Sequence, residues 1–98
     1  MEFLVSIEFR VPPGTSDRTV SEKRAEEALR ARELAEQGHL KKLWRLANEP
    51  QRWANVGIWA ADDSEELYLV LATLPLHPWA TISVTPLGPH PNDPGGVS

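Results

Sequence analysis

Apolar and polar residues alternate over the first eleven positions. Met1, Phe3, Val5, Ile7, Phe9 and Val11 fall on one side, and Glu2, Leu4, Ser6, Glu8 and Arg10 on the other. Period-two patterning of this length predicts a half-buried strand from Met1 to Val11. Pro12-Pro13-Gly14 ends it, because proline has no N–H to give a ladder. A segment rich in Ala, Glu, Arg and Leu follows from Ser16 or Asp17 to Gln37 and predicts a helix, with Gly38 as its stop. On a helical wheel Val20, Ala25, Ala28, Leu29, Ala31, Leu34 and Ala35 share one broad arc. Arg24 and Glu27 fall inside that arc, whereas Glu22, Glu26, Arg30 and Glu33 lie on the polar side.

Alternation returns at Leu40 to Ala47, with Leu40, Lys42, Trp44 and Leu46 set against Lys41, Leu43, Arg45 and Ala47. Asn48-Glu49-Pro50-Gln51 reads as a turn. Trp53 to Ala61 predicts a third strand with Ala54, Val56, Ile58 and Ala60 on one face and Trp53, Asn55, Gly57 and Trp59 on the other. Asp62 or Asp63 caps a second helix, and Asp63 with Glu66 has capping-box spacing. Leu67, Val70, Leu71 and Leu74 form its apolar stripe, and Pro75 closes it. Trp79 to Thr85 is the last strand, with Ala80, Ile82 and Val84 inward.

The order βαββαβ predicts an α+β fold of the ferredoxin-like kind, an antiparallel sheet with both helices on one face. Its other face then needs cover, which points to a homo-oligomer. Trp44, Trp53, Trp59 and Trp79 are candidates to line that face or a pocket. Residues 1–86 form the single domain, and 87–98 an extended tail. The stretch from Pro86 onward holds four of the nine prolines and three of the six glycines.

Composition narrows the chemistry. A chain of 98 residues is one domain at the usual ~100–150 residues each. The absence of cysteine excludes disulfide scaffolds, thiol nucleophiles and cysteine metal sites. A net charge of −4 argues against a general nucleic-acid binder. No apolar run approaches the ~20 residues of a membrane span, and a cytoplasmic protein is expected. His39, His77 and His90 have no metal-ligand spacing, so no metal site is expected.

Two spots carry candidate chemistry. Arg24 and Glu27 stand three residues apart on the helix face directed at the sheet. A carboxyl group in an apolar pocket has a raised pKa that suits proton abstraction, and an arginine beside it can hold a carboxylate or an enolate. The plainer reading is an i,i+3 ion pair at the helix rim. Asn55, between Trp53 and Gly57, sits on an aromatic strand face where an amide must find partners, in a ligand or at an interface. Lys41, Lys42, Arg45 and Arg52 form a local basic patch able to steer an anion.

The run from Ala35 through Gly38-His39-Leu40-Lys41-Lys42-Leu43-Trp44-Arg45 resembles the muconolactone delta-isomerase family. The likeness continues through Trp53-Ala54-Asn55, the helix start Asp63–Leu67, Leu74-Pro75-Leu76-His77-Pro78-Trp79 and the tail His90-Pro91. The resemblance implies a dimeric α+β barrel assembly, as a dimer or a decamer of dimers. It implies an isomerase that needs no cofactor, converting muconolactone, a small anionic lactone, to 3-oxoadipate enol-lactone in aromatic compound catabolism. On that pattern Glu27 shuttles the proton, Arg24 binds a carboxylate or enolate, and Asn55 and His39 supply hydrogen bonds. Trp53 and Trp44 join the substrate-binding set. Trp53 stands where the family carries a tyrosine. The alternatives are a non-catalytic small-ligand-binding homo-oligomer and a cofactor-free monooxygenase on a related barrel. A closed pocket lined by both Arg24 and Glu27 separates the first alternative from the isomerase.

Overall fold

The computed structural model describes residues 1–46 and 53–95. The elements are β1 (Glu2–Phe9), α1 (Asp17–Glu36), β2 (Leu40–Arg45), β3 (Ala54–Ala60), α2 (Ser64–Leu71) and β4 (Ala80–Leu87), with a 3₁₀ turn at His77–Trp79. The predicted turn Asn48–Gln51, Ala47 at the predicted end of the second strand, and Arg52 of the basic patch lie outside the described residues. The strands form one sheet in the order β2-β3-β1-β4, with every neighbouring pair antiparallel. This is the ferredoxin-like α+β architecture that the element order predicts.

Pairing register explains where the core sits. Phe3, Val5 and Ile7 of β1 face Trp59, Gly57 and Asn55 across one edge and Pro86, Val84 and Ile82 across the other. Directly opposed residues point to the same face. That face packs on the helices, and the core joins Phe3, Val5, Ile7, Phe9 and Trp59 to Leu34 of α1, Leu67 and Leu71 of α2, and Leu74 and Leu76 beyond it. β4 runs on through Pro86 to Leu87, two residues past the predicted strand end at Thr85. Proline is tolerated there because β4 is an edge strand.

Both helix ends follow from local chemistry. Ser16 caps α1 by accepting from the Thr19 N–H at 3.1 Å. At the other end Gly38 adopts φ 87°, and His39 N–H donates to the Leu34 carbonyl while Gly38 N–H donates to that of Ala35. This double bond pattern is the Schellman motif, and its left-handed residue favours glycine. Asp63 caps α2 through the Glu66 N–H at 2.8 Å, while the Glu66 carboxylate reaches back to the Asp62 N–H.

Two expectations require correction. The buried stripe of α1 is narrower than the predicted arc: Leu34 is buried and Val20, Glu27 and Ala31 are half-buried, but Arg24, Ala25, Ala28, Leu29 and Ala35 are exposed. Arg30, assigned to the polar side, is half-buried and donates from Nε to Thr73 Oγ1 at 3.1 Å, tying α1 to the segment after α2. An alanine-rich helix has little contrast between its sides, so the wheel could not fix its rotation. The second correction concerns β2. A register shift between Leu40 and Lys42 breaks its simple alternation. Leu40 therefore shares the helix-side face with Leu43, and Lys42 and Trp44 pair with Ile58 and Val56 on the far side.

Candidate active site

A cavity of about 300 Å³ lies between α1, the helix-side face of β1, β2 and β3, and the Leu74–Leu76 segment. This is the size range of small-molecule sites. Ile7, Phe9, Leu40, Leu43, Leu74 and Leu76 supply most of its apolar wall. The remaining lining includes Arg24, Glu27, Trp53, Asn55 and Trp59. The sheet register brings these last three onto one face, and one turn of α1 brings Arg24 and Glu27 to the same space.

Glu27 is half-buried, and its Oε1 accepts the Leu76 N–H at 3.0 Å. Burial pushes its pKa above the usual carboxylate range, and the Leu76 N–H offsets this only in part. The group is held in place yet retains an affinity for protons, as a proton carrier must. Arg24 does not pair with it: the ion pairs among the described residues are Arg18–Glu22, Lys23–Glu26 and Arg30–Glu33. The i,i+3 ion-pair reading is therefore not the geometry present. Instead the Arg24 guanidinium lies 4.1 Å from the centre of the Trp53 ring. A cation over an indole face is positioned without being neutralised. Trp53 is itself fixed by a tilted ring contact with Phe9 at 4.8 Å and by an edge contact with Trp79 at 6.4 Å.

Two polar atoms of this region have no partner among the described residues. They are Asn55 Oδ1 and Trp59 Nε1, both buried. Unsatisfied buried polar atoms are uncommon in native folds, and at a cavity they mark places a ligand can complete. In the sequence Trp59 reads like the other tryptophans, as a residue lining the open face or a pocket. The available signal was Gly57, two positions earlier on the same strand face.

The remaining candidates lie elsewhere. Trp44 is 50% exposed and pairs with Val56 on the sheet face opposite the helices, because the shift in β2 turns it away from the cavity. His39 donates from Nδ1 to the Ala60 carbonyl at 2.8 Å and lines a separate depression beside Met1, Gly38 and Asp62. Its ring fastens the end of α1 to β3. Arg45 is the cross-strand neighbour of Asn55, so it points to the cavity side of the sheet edge.

A carboxyl group with a raised proton affinity, in a small apolar cavity on a ferredoxin-like α+β scaffold, is equipment that acid–base chemistry can use. The family model described as muconolactone delta-isomerase matches residues 1–93. The chain belongs to the muconolactone delta-isomerase family and is by that membership an isomerase. It is 32% identical over 92 residues to the muconolactone delta-isomerase of Cupriavidus pinatubonensis, covering 94% of this chain and 97% of that one. The Rhodococcus opacus enzyme of the same name is 28% identical over 91 residues, with 93% and 95% covered. A crystal structure of muconolactone isomerase superposes with a TM-score of 0.83 at 29% identity, covering 95% of this chain and 94% of that one.

Proposed function

We propose that this isomerase moves the ring double bond of muconolactone, or of a closely related butenolide bearing a carboxylate arm, by a carboxylate-mediated 1,3-proton shift. Glu27, ionised, removes the proton at C4. The C–H electron pair passes into the ring as a dienolate, and the protonated Glu27 returns the proton at C2. No electrons leave the substrate, so the exchange balances with one carboxyl group. Arg24 at the cavity wall holds the carboxylate arm, with Trp53 fixing the guanidinium in place of the family's tyrosine. Asn55 contributes a hydrogen bond to the ring. The observation that carries this reading is Glu27 itself, half-buried in the cavity with its pKa raised. An anionic product arm and an uncharged ring leave one strong cation contact to make, and Arg24 is the cation in the cavity lining.

The direct test is turnover of muconolactone without added metal or cofactor, by wild type and by Glu27→Gln. Wild-type turnover with at least a hundredfold loss in the variant is expected, since general acid–base catalysis contributes about 10²–10⁴-fold. Full activity in Glu27→Gln overturns the mechanism.

We further propose a homo-oligomer in which a second copy covers the open sheet face. Leu4, Val56 and Ile58 lie half-buried on that face without a helix above them, and Trp44 stands beside them. Apolar surface left this way in a short chain favours association.

A further inference from the structure

We infer that the Trp59 indole N–H is the hydrogen-bond donor to the ring carbonyl oxygen of a lactone bound in the cavity. This rests on the isomerase reading above and adds to it the group that receives the charge developed on that oxygen. Trp59 is 2% exposed, and its Nε1 has no partner among the described residues although the ring lines the cavity. An indole nitrogen can only donate, so whatever completes it must be an acceptor. The apolar wall offers none, and Asn55 Oδ1 on the same strand face is not bonded to it.

Gly57 accounts for the placement. A Cβ at that position would stand 3.3 Å from Trp59 Nε1, 3.0 Å from Leu43 Cδ1 and 2.6 Å from the Lys42 carbonyl oxygen. The indole N–H thus lies over the one residue of this strand face that has no side chain, midway between Asn55 and Trp59. The Trp59 ring lines the cavity on its sheet side and the Glu27 carboxyl group on its helix side, so a planar ring entering beside Glu27 lies between the two residues. As C4 loses its proton, negative charge grows on the carbonyl oxygen, where a fixed donor in an apolar site has its largest effect.

The test uses the full chain. Trp59→Phe keeps a ring and removes the N–H. With muconolactone its kcat/KM is expected to fall about tenfold to a hundredfold, mostly in kcat, with the melting temperature little changed. In ¹⁵N-labelled wild type, the indole resonance that disappears in the variant is that of Trp59. It should move on saturation with a non-reacting saturated lactone carboxylate, and stay in place with the matching cyclic ether, which lacks the carbonyl. Full kcat/KM in Trp59→Phe, or a Trp59 resonance that the lactone leaves unmoved, overturns the inference while leaving the isomerase reading intact. Wild type inert toward every butenolide overturns both. If Trp59→Phe does not fold, Trp44→Phe, Trp53→Phe and Trp79→Phe assign the other three indole resonances, and the response of the remaining one decides.

Discussion

Gly57→Ala perturbs the sheet and the cavity with a single methyl group. The added Cβ would stand 2.6 Å from the Lys42 carbonyl oxygen, which is backbone and cannot rotate aside. An ordinary carbon–oxygen contact is about 3.3 Å, so β2 must withdraw by about 0.7 Å where it pairs with β3. Forcing an extra methyl into a packed site costs about 1–3 kcal/mol. Gly57 has no positive φ, so alanine also recovers about 0.5–1 kcal/mol of backbone entropy. The net destabilisation is then about 1.5 kcal/mol, which lowers Tm by about 6–12 °C in a domain of this size. Thermal unfolding followed by circular dichroism measures it, with muconolactone turnover in parallel, because the same methyl crowds Trp59 Nε1. A variant melting at or above the wild-type temperature refutes the reasoning. It would mean that β2, an edge strand, yields without cost.

The pH dependence of Glu27 has a defined sign. Because the folded chain binds this proton more tightly than the unfolded one, stability falls as pH rises from the unfolded pKa to the folded one. Glu27→Gln should abolish that slope in denaturation midpoints measured across the range. In the wild type, the rise of kcat/KM with pH should be centred above the usual carboxylate range, and a rise centred within it would contradict the burial argument. Arg24→Gln should raise the KM for muconolactone about tenfold or more, since hydrogen bonds to charged groups are worth about 1.5–3 kcal/mol, and should affect kcat less. Steady-state kinetics at several ionic strengths would show the wild-type KM rising with salt and the variant's much less. Trp44→Glu should shift sedimentation toward smaller species if the open sheet face is the contact between copies. An unchanged distribution would place that contact elsewhere.

Much of the fold was legible because its signals are local. Strict alternation in β1 needs no tertiary information, and Gly38 ends α1 as a left-handed residue in a defined cap. The pair Glu27 and Asn55 was legible for another reason. Each sits where a polar side chain contradicts its apolar surroundings, and the cavity brings them together. Trp44 and His39 stand outside the cavity lining because sequence adjacency to a recognisable run does not fix direction. One register shift in β2 is silent in an alternating sequence, yet it reverses which residues face the cavity. The rotation of α1 was equally hidden, since alanines on both sides of a helix weigh the same. Trp59 does not stand out in the sequence because a tryptophan in a strand reads as core. Only its unpartnered nitrogen distinguishes it, and that is a property of three-dimensional placement.

Pro86 has a consequence for how copies of this chain can meet. It pairs with Phe3 in β4, the outer strand of a sheet whose second face is partly apolar. A strand at a sheet edge is a template for further strands, and repeated addition there leads to open-ended growth. Proline withholds an N–H from that edge, and Gly88 and Pro89 follow directly after the strand ends at Leu87. In the homo-oligomer proposed above, the β4 edge is thereby a poorer contact than the open sheet face. A face can be covered once, which allows an assembly of finite size.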